Sequence, residues 1–178
     1  MNVRKYIPNI LTTIRLLLVP VFMILFINKQ YLPSKYLPST IIFIIASTTD
    51  FIDGYLARLW HVESKYGKII DPIADKSLMI SASILCTIYI NKLTIILMIL
   101  EIIIAVTNYL YLKLGTKFYV SYIGKIKTAT LMITISYILL NNIVYPNNII
   151  ENILIIITSI LQIIVVLTYF INRKKNKK

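Results

Sequence analysis

Residues 50–76 read DFIDGYLARLWHVESKYGKIIDPIADK. They hold all four aspartates of the chain, Asp50, Asp53, Asp71 and Asp75, in largely apolar surroundings. Asp50 and Asp53 are three positions apart, and Asp71 and Asp75 are four apart. Positions three or four apart share one face of an α-helix, so each pair presents two carboxylates to one side. Two neighbouring helices would bring both pairs to one spot. Four carboxylates that close repel each other, and leaving them unpaired in a low-dielectric setting is costly. A hard cation with oxygen ligands relieves that cost, and Mg²⁺ or Mn²⁺ bridging to a phosphate is the usual occupant.

The sequence around this stretch sets its environment. Hydrophobic residues make up 58% of the 178, and the mean hydropathy is +0.79. That is too apolar for an ordinary soluble domain. Several windows approach 20 residues with few charges, the length needed to span a bilayer as a helix. The expected fold is all-α: a polytopic membrane protein forming one domain over residues 1–178. The net charge is +12. The basic residues fall mostly between and after apolar runs, which favours a membrane surface over nucleic acid as their partner. The single cysteine, Cys86, excludes an internal disulfide and a cysteine-rich zinc site. The first apolar run carries Pro8 and Pro20 and no small-residue cleavage site, so it reads as a retained helix.

Turn signals divide the chain into six expected transmembrane helices, at about 9–27, 39–58, 67–90, 93–114, 124–140 and 149–171. The second ends with Asp50, Asp53 and Gly54 in its last turns, and the third carries Asp71 and Asp75 in its first. Six spans put both termini on one side. That side receives Arg4, Lys5, Arg58, Lys65, Lys68, Lys113, Lys117, Lys125, Lys127 and the basic tail after Asn172, whereas the other receives Lys29, Lys35 and Lys92. By the positive-inside rule both termini and the aspartates face the cytoplasm of a cell membrane.

Eight residues stand at fixed offsets in D-x2-D-G-x2-A-R-x8-G-x3-D-x3-D: Asp50, Asp53, Gly54, Ala57, Arg58, Gly67, Asp71 and Asp75. This resembles the signature of the CDP-alcohol phosphatidyltransferases, with every position present. The resemblance implies an integral membrane enzyme of phospholipid synthesis that displaces CMP from CDP-diacylglycerol with an alcohol. It implies metal binding by Asp50, Asp53 and Asp71, and the general-base role for Asp75, with a share in metal contact. Spacing alone does not separate ligand from base. Gly54 and Ala57 clear space beside Asp53 for the nucleotide or the third helix. Gly67 is expected to turn the chain into the third helix, with Pro72 in its first turn. Arg58 can pair with a phosphate or serve as a positive-inside anchor.

Two further stretches resemble bacterial phosphatidylglycerophosphate synthases. Pro8, Asn9, Thr12 and Arg15 match P-N-x2-T-x2-R, which in that family and in eukaryotic-type cardiolipin synthases lies near the nucleotide pocket. Asn9, Thr12 and Arg15 fall at offsets of three; the plainer reading is a helix cap and a snorkelling arginine. Gly124, Lys125, Ile126, Lys127 and Thr128 match GKxKT, and Lys125 and Lys127 could hold an acceptor's phosphate or anchor the helix to anionic lipid. Where phosphatidylglycerophosphate synthases carry Arg-Glu-Phe and then Gly-Leu-Arg, this chain reads Leu100-Glu101-Ile102 and Thr107-Asn108-Tyr109. Glu101 remains without its arginines, in mid-helix, where it could orient Arg15 or support the site.

The expected acceptor is glycerol 3-phosphate, with phosphatidylglycerol, the cardiolipin synthase acceptor, as the alternative. Two other classes compete: a cation-binding membrane protein, and an inactive paralogue. The first predicts acidic groups deep in several spans, yet only Glu101 lies deep; the second predicts a broken motif, and none of its positions is replaced. The resemblance also allows a homodimer, which nothing in the sequence itself indicates.

Overall fold

The computed structural model describes residues 7–28, 35–60, 62, 65–113, 122–143 and 147–175. They form six α-helices: α1 (Ile7–Ile27), α2 (Leu37–Leu59), α3 (Lys65–Tyr89), α4 (Thr94–Lys113), α5 (Tyr122–Asn141) and α6 (Asn148–Lys175). No strand occurs among the described residues. Among the described residues, four helical stretches are long and apolar enough to cross a membrane: Ile7–Ile27, Thr94–Tyr111, Ile123–Ile143 and Asn148–Tyr169. At 1.5 Å rise per residue, about 20 residues match the roughly 30 Å hydrocarbon layer. The two helices outside that set, α2 and α3, carry the four aspartates.

The exposed surface is apolar where a soluble helix would be charged. On α6, Ile149, Ile153, Ile156, Ile160, Ile163 and Leu167 are all exposed, an i, i+3, i+4 stripe suited to lipid. Its opposite side buries Ile155, Thr158, Gln162 and Val165.

Packing follows the chain closely. α1 lies against α2 and α3, α3 continues onto α4, and α6 joins α4 to α5. The core is aromatic at one end. Phe22 stacks with Phe26 and Phe43 at centroid distances of 5.8 and 5.7 Å, and Phe26 meets Tyr36 at 5.1 Å. Each such pair adds about 0.5–1.5 kcal/mol beyond area burial. Leu78, Met79, Ala82, Leu131, Ile135 and Ile138 extend the core along α3 and α5.

Two helix starts differ from expectation. α3 begins at Lys65, so buried Gly67 lies within its first turn and does not turn the chain into it. Pro72 then sits two turns in, where its missing N–H leaves the carbonyl of residue 68 without its helical partner. In α2, Pro38 occupies the first turn, where a proline costs little. The turn before it holds Lys35 at φ 42°, and Ser39 and Thr40 both donate to the Tyr36 carbonyl at 2.8 Å.

The end of the bundle opposite the aspartates has its own polar knot. Glu151, in the first turn of α6 and 1% exposed, accepts from Asn141 at 2.7 Å, Asn142 at 2.8 Å and Asn91 at 3.3 Å. Asn91 also donates to Asn152 at 3.0 Å. The knot ties the α3–α4 turn and the end of α5 to the start of α6.

Candidate active site

The site is built where the start of α1, the end of α2 and the start of α3 meet. The periodicity of α1 turns Thr12 and Arg15 inward, where they are 1% and 0% exposed. Arg15 reaches α2 and forms ion pairs through its two terminal nitrogens, one with Asp50 Oδ1 and one with Asp53 Oδ2. Thr12 Oγ1 lies 2.5 Å from Asp71 Oδ1 on α3 and 3.2 Å from Asp53 Oδ2 on α2. One hydroxyl within reach of both carboxylates makes those two helices near neighbours at this level. Asp50 in turn feels the charges of Asp75, Asp53 and Asp71 as well as that of Arg15. The two aspartate pairs therefore converge, as the helical spacing predicts.

The arrangement around them is specific. Asp53 is 3% exposed, whereas the Asp50 side chain is 28% exposed, so one pair member is partly accessible and the other is buried. Asp75 directs Oδ2 toward Lys76 Nζ at 3.4 Å. Its Oδ1 is buried and has no hydrogen-bond partner among the described residues. A buried carboxylate oxygen without a donor is unusual and costly, and it is available to accept a proton or a cation. No three carboxylate, histidine or cysteine side chains among the described residues gather tightly enough to hold a metal ion as they stand. Arg15 and Thr12 occupy the space between the carboxylates. The donor set itself, four hard carboxylate groups that include the buried Asp75 Oδ1, suits a hard divalent cation.

The remaining candidates separate. Asn9 turns away from Thr12 and lines an open groove on α1 with Ile10, Thr13 and Ile14. Gly54, half-buried, adjoins Asp53, and Gly67 is buried in the first turn of α3. The side chains of Ala57 and Arg58 lie outside the described residues. Lys125 and Lys127, two positions apart on α5, part company: Lys125 is exposed and Lys127 is 2% exposed.

Lys127 leads to a second cluster that adjoins the first. Its Nζ donates to both oxygens of Glu101, at 3.0 and 2.9 Å. Glu101 is fully buried and also pairs with Lys76 on α3. Gln162 on α6 donates to its Oε2 at 2.9 Å. Glu101 thus orients Lys76 and Lys127, not Arg15. Lys76 and Gln162 escaped the sequence reading. The signal for Gln162 was one amide inside an apolar run, and a polar group at that depth faces the bundle interior.

These features agree with what the chain resembles as a whole. The family model for CDP-alcohol phosphatidyltransferases matches residues 5–170. A protein of Salmonella typhimurium named CDP-diacylglycerol–glycerol-3-phosphate 3-phosphatidyltransferase is 37% identical over 142 residues, covering 75% of this chain and 76% of its own. The protein of the same name from Escherichia coli K12 is 35% identical over the same coverage. A match along nearly the whole chain, over helices that gather the motif's four aspartates, shows that this membrane protein belongs to the CDP-alcohol phosphatidyltransferase family.

Proposed function

We propose that the protein transfers a phosphatidyl group from CDP-diacylglycerol to glycerol 3-phosphate and releases CMP, a step of phospholipid synthesis. The observation that carries this reading is the convergence of two aspartate pairs beside a buried arginine, in a chain so similar to enzymes named for that reaction. In the reaction the acceptor hydroxyl oxygen forms a bond to the lipid-side phosphorus. The bond from that phosphorus to the CMP oxygen breaks, and CMP leaves with the electron pair.

Asp75 is the general base. Its buried Oδ1, without a hydrogen-bond partner among the described residues, supports that role. Asp50, Asp53 and Asp71, with Asp75 in a shared role, would hold Mg²⁺ or Mn²⁺. Such an ion, when bound, screens the pyrophosphate charge and eases departure of CMP. Thr12 has one hydroxyl proton to donate, and Asp71 Oδ1 at 2.5 Å is its nearest acceptor, with Asp53 Oδ2 at 3.2 Å. Arg15, with Asn9, Gly54, Ala57, Arg58 and Gly67, belongs to the CDP side, and Lys125 and Lys127 to the acceptor side. All six helices form one membrane domain over residues 1–178. Both termini and the aspartates lie on the cytoplasmic side, as the distribution of Lys and Arg supports.

The test is CMP release by purified protein with CDP-diacylglycerol, Mg²⁺ or Mn²⁺, and glycerol 3-phosphate or phosphatidylglycerol in parallel. Release that needs glycerol 3-phosphate and disappears in Asp75→Asn is the expected result. Release that needs phosphatidylglycerol instead would make the enzyme a cardiolipin synthase. Folded protein that binds no CDP-diacylglycerol would refute the reading.

A further inference from the structure

α6 lies outside the aspartate motif, yet it reaches the site through one side chain. Gln162 is fully buried, and its amide nitrogen lies 2.9 Å from Glu101 Oε2 and 3.3 Å from the Leu97 carbonyl. Glu101 therefore receives donors from three other helices: Lys76 of α3, Lys127 of α5 and Gln162 of α6. One carboxylate holds two ammonium groups. It can balance only one of them.

The second positive charge has one other anion nearby, Asp75, 3.4 Å from Lys76 Nζ. Asp75 is the residue proposed to meet the acceptor. When Asp75 is committed to the reaction, Lys76, Lys127 and Glu101 together carry an excess positive charge inside apolar helices. An uncompensated charge so far buried is expensive, and an anionic ligand group relieves it. Lysine ammonium groups suit a phosphate as point charges.

We infer that Glu101, steadied by Gln162, is a positioning residue that presents Lys76 and Lys127 as the seat for the phosphate of a small acceptor alcohol. The inference rests on the proposed reaction and deepens it. It also explains how the chain manages without arginines around Leu100 and Asn108. Lys76, next to Asp75 in sequence, puts the phosphate seat beside the general base. Without Glu101 the two ammonium groups repel, and neither keeps its place.

The experiment measures initial rates of CMP release by the full chain, varying glycerol 3-phosphate at saturating CDP-diacylglycerol and then the reverse. Glu101→Gln is expected to raise the KM for glycerol 3-phosphate about tenfold or more, the size of a lost charge-assisted contact, and to leave that for CDP-diacylglycerol within about twofold. Glu101→Asp restores part of the loss. Gln162→Met, a neutral replacement of similar volume, raises the same KM about threefold and decides the matter if Glu101→Gln does not fold. An unchanged acceptor KM, or a parallel rise in both KM values, would overturn the inference. A wild type that releases no CMP with glycerol 3-phosphate would refute the proposed reaction instead. The seat is then read from protection against thermal unfolding by glycerol 3-phosphate: protection in wild type that Glu101→Gln loses supports it, and no protection in wild type overturns it.

Discussion

Replacing Arg15 with methionine is expected to make the stability of the protein depend on divalent cations. Arg15 is fully buried and is the direct ion-pair partner of both Asp50 and Asp53. Methionine fills part of the volume and leaves the two carboxylates facing each other. Removing one member of a buried ion pair costs about 3–5 kcal/mol. The Asp53 side chain, 4% exposed, carries that cost, whereas Asp50, at 28%, is screened by solvent and adds about 1 kcal/mol at most. A cation at one hundred times its dissociation constant returns about 2.7 kcal/mol. For a chain of this size each kcal/mol moves Tm by about 2–4 °C. Thermal unfolding in detergent with chelator is therefore expected to show a loss on the order of 10 °C in Arg15→Met, and added Mn²⁺ or Mg²⁺ recovers about half of it. Wild type responds less, because Arg15 already balances one of the two negative charges. A variant as stable as wild type in chelator would refute the reasoning, and so would one indifferent to either cation.

Three further outcomes follow from particular contacts. Thr12→Val keeps the shape but removes the hydroxyl shared by Asp71 and Asp53; kcat/KM for CDP-diacylglycerol is expected to fall about tenfold, the worth of one hydrogen bond to a charged group. Glu151→Leu strands the amides of Asn91, Asn141 and Asn142, so unfolding stability drops by about 3 kcal/mol. Activity per folded molecule holds, since the knot lies at the far end of the bundle. Thr134 and Thr158 share a 2.7 Å hydrogen bond between α5 and α6, and a double-mutant cycle to valine is expected to return a coupling of about 0.6 kcal/mol.

Much of this architecture is written in the chain. The six apolar runs and the turn residues between them place every helix to within a few residues, because span length and polarity are local properties. The i, i+3 and i, i+4 spacing of the aspartates sets which face they occupy, and that face does meet its partner. Which helix faces which is not local. The spacing of Thr12 and Arg15 puts them on one side of α1, but that this side meets the aspartates is a fact of packing. Glu101 shows the same limit: its depth announces an interior partner, and the partners that packing supplies are Lys76 and Lys127, not Arg15. Lys76 was hidden by its neighbour Asp75, which draws attention first. Gln162 was hidden by its surroundings, a run whose exposed isoleucines look uniform until one face is set against α4. The early start of α3 was hidden by Gly67 and Pro72, which read as a helix beginning and lie inside it.

The Lys76–Glu101–Lys127–Gln162 group also bears on how the chain is made. Its members emerge from the ribosome one at a time, Glu101 following Lys76 by 25 residues and preceding Lys127 by 26 and Gln162 by 61. Glu101 lies near the middle of the stretch Thr94–Tyr111, and a charged side chain alone at the centre of a nascent span costs about 2.5–3.5 kcal/mol on insertion. α3 and α4 can neutralise one another as a hairpin, whereas α5 then brings a lysine with no carboxylate of its own. Release into the bilayer is favourable once these helices have met, and α6 supplies the final donor. A chain stopped short of α6 would therefore leave Glu101 without the Gln162 donor that completes the group.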